Sequence, residues 1–264
     1  MPLLLVLAIS LATRRTYGGV DWIFTLVNYR DALDPLYLRI LMKSVLLAGV
    51  TTAICLVIGF PLAYWIARQP ISRQAIWMLL VMIPFWTNFL VRTYAWMFML
   101  RTEGLLNTWL LGLGIISHPL ELLYTDVAVL IGLVYGYLPF MVLPLYAVLA
   151  RLDRSLIEAA RDLYAGPGAV LRRVILPLAR PGIVAGCVLV FVPSLGAYLT
   201  PDLLGGARSM MIGTLIQHEF LVIRDWPLGA ALSFGLMLLV VLCVTAYVRW
   251  AGNLTGERIA EAGR

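Results

Sequence analysis

Charge is what this chain has least of. Aspartate, glutamate, lysine and arginine make up 13% of its 264 residues, where soluble domains carry about 25%. It holds one lysine (Lys43), two histidines and three cysteines. Each scarcity excludes a chemistry. Cys55, Cys187 and Cys243 sit singly in apolar runs without C-x-x-C spacing, so they read as packing residues rather than a disulfide framework or a metal site. His118 and His218 lie in polar stretches and share no motif. Lys43 is followed by Ser44 but lacks the glycines of G-x-x-x-x-G-K-[S/T], so this chain has no phosphate-binding loop of its own. H-E-x-x-H, G-x-S-x-G and paired carboxylates inside an apolar run are missing too, which leaves a membrane enzyme only loop residues to react with. No internal repeat or low-complexity segment is present.

What is abundant is hydrophobicity. At 62% apolar residues, with runs long enough to cross a bilayer, the chain reads as an all-α polytopic transmembrane helix bundle. Met1–Ala12 is apolar but shorter than a span and lacks a basic n-region, so it reads as the end of a truncated first helix rather than a signal peptide. Residues 13–38 read as an external loop. The second span is expected from Ile40 to Ala67, bent near Gly59 and Pro61. The third runs from Ala75 to Leu100, the fourth from Asp126 to Leu149, and the fifth from Ile183 to Leu199, interrupted at Pro193-Ser194. Residues 200–228 read as a polar loop, and the last span covers Gly229–Trp250. Counting the truncated one, this is a six-span unit in one transmembrane domain over 1–264.

The net charge of +6 needs no nucleic acid to explain it. The segments 68–74, 150–181 and 249–264 hold eleven of the twenty basic residues, which places them in the cytoplasm by the positive-inside rule. No acidic residue is expected deep in a span, so ion coupling has no obvious carrier. A passive half-pore driven by a separate ATPase fits both missing engines. A secondary transporter and a membrane-embedded enzyme are the rival classes.

One polar interval stands between the fourth and fifth spans, within 150–181. Ser155-Leu156-Ile157-Glu158 has the S-x-x-E form of a capping box. Gly166 is expected to stop the helix in a left-handed conformation and Pro167 to bar its continuation. A second short helix is then expected from Gly168 to Pro177. Each piece carries apolar residues at three- and four-residue spacing. The pair forms a docking surface, or else lies on the anionic inner leaflet.

Glu158-Ala159-Ala160, followed by Val174-Ile175-Leu176-Pro177, resembles the EAA loop of bacterial ABC importer permeases. That motif is E-A-A, three residues, Gly, nine residues, then an aliphatic residue, any residue and Leu-Pro. The family glycine falls here on Tyr164, with Gly166 and Gly168 displaced downstream. The resemblance implies that 150–181 is a cytoplasmic coupling loop, with Glu158, Ala159, Ala160, Asp162, Tyr164, Gly166, Leu176 and Pro177 contacting the ATPase. Pro84-Phe85-Trp86-Thr87-Asn88, Leu138-Pro139-Phe140 and Arg224-Asp225-Trp226-Pro227 further resemble the spermidine/putrescine permease subfamily. That implies a polyamine importer of the bacterial inner membrane. Its partners would be a cytosolic ATPase dimer that binds the ATP and magnesium, a second homologous permease and a periplasmic binding protein. Ferric iron, thiamine and opine-like cations are the rival substrates.

For the translocation path, polar groups in apolar runs are the candidates, because facing them to lipid is costly. These are Trp86, Thr87, Asn88 and Arg92, the Pro193-Ser194 step, and Tyr135 and Tyr198, whose rings offer π-faces to a cation. Interhelical packing and interface anchoring explain the same residues.

Overall fold

The computed structural model describes residues 2–15 and 19–262. Its strands are confined to a small antiparallel hairpin, β1 (Thr13–Arg14) and β2 (Val20–Asp21), with Thr13 opposite Asp21. The helices are α1 (Pro2–Ser10), α2 (Val27–Ala32), α3 (Pro35–Ala67), α4 (Ile71–Trp86), α5 (Phe89–Leu100), α6 (Leu105–Gly112), α7 (Asp126–Leu149), α8 (Arg154–Asp162), α9 (Pro167–Val170), α10 (Leu176–Leu195), α11 (Ile212–His218) and α12 (Trp226–Ala262). Among the described residues, α3, α7, the run Pro167–Leu195 and Trp226–Tyr247 are each long and apolar enough to cross a membrane. The pair Ile71–Trp86 and Phe89–Gly112, taken as one broken span, makes a fifth. Only 28% to 39% of each span's most apolar stretch is buried, so most of that surface is left for lipid or another chain. The architecture is all-α and polytopic.

Three expected boundaries are corrected. The third span is not continuous, because α4 ends at Trp86 and α5 begins at Phe89. Pro84 supplies no amide, and Thr87 turns extended and donates its hydroxyl to the Pro84 carbonyl at 2.7 Å, which closes the helix end.

The fifth span, in turn, starts sixteen residues earlier than expected, at Pro167, and runs unbroken through Pro177 and Pro193-Ser194 to Leu195. A prolyl ring at 177 would meet the carbonyl of Arg173, and the turn over Leu171–Ile175 is widened to a π-helix, which absorbs the ring without ending the helix. Finally, 200–228 is not a plain polar loop. It contains α11 and π-helical turns at Pro201–Gly205 and Glu219–Ile223, with Met211, Ile212 and Leu215 buried.

The chain forms two compact units. The first comprises residues 1–50, 89–133 and 192–243. Polar side chains sew it together. Asn28 is buried and donates to the carbonyls of Ser10 (2.9 Å) and Ala12 (2.7 Å), tying α2 to the end of α1. Ser44 donates to the Ile40 carbonyl and accepts the amide of Ile212 at 2.7 Å, so it satisfies a free N–H at the start of α11. Lys43 pairs with Asp126 at 2.7 Å, and Ser209 also donates to that carboxylate.

Glu219 is 3% exposed. The Tyr37 hydroxyl donates to it. Burial, then the nearby Asp225 charge, pushes its carboxyl above the ordinary range, while His218 and Arg14 pull the other way. Asp225 is itself held by Arg14 at 3.3 Å.

The second unit comprises residues 51–88, 134–191 and 244–264. Its core joins Cys55 and Ala63 of α3, Met141, Val142 and Leu145 of α7, and Ala179 and Val190 of α10 to Ile157 of α8 and Val170 of α9. Met141 lies between Gly59 and Gly186, where any Cβ would come within 3.0 Å of its side chain. Small residues of this kind are what let helices approach without a hydrophobic drive between them.

Gly213 opens α11 against backbone. A Cβ there would lie 2.5 Å from the Ala197 carbonyl oxygen and 2.6 Å from that of Gly196. Gly213→Ala should therefore cost about 1–3 kcal/mol, the usual size of overpacking. Gly235→Ala, which enters open space on α12, should be neutral or stabilising. Thermal melts in detergent check this, and equal melting of the two variants would contradict the packing.

Candidate functional site

The best-defined surface element outside the spans is α8 with the turn that follows it. Asp153 caps it, its Oδ1 accepting the Ser155 amide at 3.0 Å. The amide and then the hydroxyl of Ser155 hold the Asp153 carboxyl below the ordinary range. The expected capping box is thus replaced. Ser155 lies inside the first turn, and the carboxylate two residues earlier takes the cap because an anion also suits the positive helix end.

The far end of α8 is closed by a Schellman motif. The Ala165 amide donates to the Ala160 carbonyl (3.1 Å) and the Tyr164 amide to that of Arg161 (2.8 Å). Tyr164 has φ +57°, so it is the left-handed residue, whereas Gly166, expected to fill that place, has φ −65° and caps α9. In the EAA motif the glycine falls on position 164. The backbone conformation that a glycine favours is therefore present here, with tyrosine adopting it.

The faces of α8 divide cleanly. Ile157 is buried, and Ala160 and Ala165 pack on the same core. Glu158, Ala159 and Asp162 are exposed, and Leu163 and Tyr164 project almost fully, at 83% and 99% exposure. A small residue at 160 serves both the motif's apolar contact and the seat on the core. Leu176 and Pro177 are half-buried within the helix that runs into α10, so only α8, not a pair of helices, stands free of the spans.

A cavity of about 640 Å³ lies beside α8, lined by Tyr64, Arg68, Gln74, Arg154, Glu158 and Arg161 among others. The segment 68–74 was expected between spans, but the residue that shapes its turn, Gln74, was not. Gln74 donates to the carbonyls of Ala67 (3.2 Å) and Gln69 (2.7 Å) and accepts from the Tyr146 hydroxyl (2.8 Å). Its only sequence signal is a glutamine four residues past Pro70, after the last residue of a span.

The path candidates lie in both units. Trp86 is 75% exposed, with Thr87 and Asn88 exposed beside it. Arg92 lies over the Phe89 ring at 5.2 Å. Ser194 is buried in the last turn of α10 and Pro193 is exposed next to it. Tyr135 is 36% exposed and Tyr198 48%. Besides the cavity beside α8, two others lie in the first unit, one of about 770 Å³ by Glu103, Glu121 and Tyr124 and one of about 270 Å³ by Tyr37 and Leu232. None of the eight path candidates lines any of the three.

Residues 38–254 match the family described as binding-protein-dependent transport system inner membrane component. The spermidine/putrescine transport system permease protein PotB of Escherichia coli K12 is 44% identical, over 98% of this chain and 94% of that protein. In fold, the chain is similar to the crystal structure of a bacterial ABC transporter involved in import of the acidic polysaccharide alginate, with TM-score 0.77, 15% identity and coverage of 94% of this chain and 88% of that one. It is also similar to that of a bacterial alginate ABC transporter bound to a periplasmic protein carrying an alginate pentasaccharide, with TM-score 0.74, 15% identity and coverage of 89% and 84%.

A left-handed tyrosine costs about 1–2 kcal/mol, and an almost fully exposed ring returns little of it. Tyr164→Gly should therefore raise stability slightly or leave it level, and Tyr164→Val should lower it. Melting temperatures of the two variants check this, and the reverse order would contradict the assigned turn.

Proposed function

We propose, for a chain that belongs to the family of binding-protein-dependent transport system inner membrane components, that it is the permease subunit of a polyamine importer carrying spermidine and putrescine. It is a multi-pass protein of the bacterial inner membrane. End-to-end identity of 44% with a spermidine/putrescine permease is the observation that carries the substrate assignment.

In this reading α8 is the coupling helix and faces the cytoplasm. Its outer face, Glu158, Ala159 and Asp162, sits in a groove of a cytosolic ATPase. Ala159 is small enough for close seating, and the two carboxylates meet arginines or backbone amides. Ile157, Ala160 and Ala165 fasten the helix to the core that includes α3, α7 and α10, so movement of the ATPase pair is passed to those helices. Tyr164 and Gly166 set the turn into the span, and Leu176 and Pro177 lie where the span begins.

ATP and magnesium are held by the partner ATPase subunits, and a periplasmic binding protein delivers the substrate. A second, homologous permease completes the pore. Trp86, Thr87, Asn88, Arg92, Tyr135, Pro193, Ser194 and Tyr198 are the positions at which to look for substrate contact.

Uptake of labelled spermidine and putrescine by cells lacking this chain tests the reading. Uptake should be lost on deletion and restored by the chain. Unaffected uptake of both would overturn the substrate.

A further inference from the structure

The cavity beside α8 is basic in a way that seating an ATPase does not require. Arg68, Arg154 and Arg161 line it, against one carboxylate, Glu158. Among the described residues, none of the three arginines has a carboxylate within ion-pair distance. Like charges gathered around a concave site repel one another, and an anion relieves that repulsion. Two of the three guanidinium groups are also placed. Arg68 lies over the Tyr64 ring at 4.8 Å, and Arg154 donates to the Arg68 carbonyl at 3.4 Å. Gln74 holds the intervening turn through its three hydrogen bonds. Such a planar, pre-positioned set suits phosphate oxygens.

One wall of the cavity is apolar. Ile71 lines it while 86% exposed. In the same helices Trp65 and Trp77 meet edge to face at 4.7 Å, exposed at 44% and 38%. Tryptophans so exposed next to basic residues at a span end mark the headgroup level of a bilayer. A soluble anion or a partner's carboxylate would use the arginines and leave this apolar wall unexplained. A lipid uses both.

We propose that this cavity binds the phosphate headgroup of an anionic phospholipid of the inner leaflet, with its acyl chains running along Ile71 and the tryptophan pair. The proposal rests on the reading that α8 faces the cytoplasm. The lipid would bridge the α3–α4 turn to α8, so that inner-leaflet charge steadies the helix that receives the ATPase stroke.

The test uses the complete importer in nanodiscs of phosphatidylglycerol and phosphatidylcholine, with retained lipid counted by native mass spectrometry. The wild type should retain phosphatidylglycerol in preference to phosphatidylcholine. Arg68→Gln with Arg154→Gln should weaken that retention about tenfold or more, as expected for loss of charge-assisted hydrogen bonds, and each single change should do so by less. Arg68→Lys should keep most of the retention, and Arg73→Gln, a charge lost on the same turn outside the cavity, should leave it unchanged. Equal retention by the wild type and the arginine variants would overturn the site. So would an equal loss in Arg73→Gln, or displacement of the lipid by millimolar inorganic phosphate. The readout needs neither substrate nor transport, so its failure would leave the polyamine reading untouched, and failed polyamine uptake would leave the lipid site untouched.

Discussion

Hydrocarbon offers no hydrogen bonds, and most of this molecule's organisation follows from that. Backbone groups in the spans must be satisfied within their own segment, which makes the chain helical almost throughout. Several hydroxyls in apolar helices are spent on the preceding turn, as with Ser44 on Ile40, Thr93 on Phe89 and Ser233 on Gly229. Charges collect at the ends of the spans. Where prolines remove an amide, the helix is re-formed nearby, by a widened turn before Pro177 and by a hydroxyl cap after Pro84.

The same constraint decides what could be read from the sequence. The fourth span was legible to the residue, Asp126–Leu149, because a charged first residue and a polar stretch bound one apolar run. The break at Thr87-Asn88 was not, since the residues on either side are equally apolar and a hydroxyl cap leaves no trace in hydropathy. The buried carboxylate of Glu219 was missed for a related reason. A charged residue in a stretch too short to span reads as exposed, and only packing against Tyr37 shows that this one is inside. The polar residues singled out for a path lie in both units, and polarity within an apolar run says nothing of which neighbour each side chain meets.

For α8, the capping-box and glycine signals misassigned both ends, while the glycine position of the E-A-A motif fell on the left-handed residue, Tyr164. Ser155 and Gly166 carry the expected residue types, yet Asp153 and Tyr164 do the capping, because position relative to the first and last turns outranks residue preference. The arrangement ties the E-A-A run to physics. Ala160 is the residue whose carbonyl the C-terminal turn closes on, and its side chain lies on the core. Glu158 and Asp162 point the other way. A helix fastened along one face and charged along the other can pass force between a cytosolic partner and the core on which it rests.

Whether α8 passes force in this way is read from the stimulation of ATP hydrolysis. Glu158→Ala in the reconstituted importer should leave the permease folded and assembled while lowering substrate-stimulated hydrolysis about tenfold, as expected for one charge-assisted contact. Stimulation equal to that of the unmodified importer would contradict a coupling role for α8.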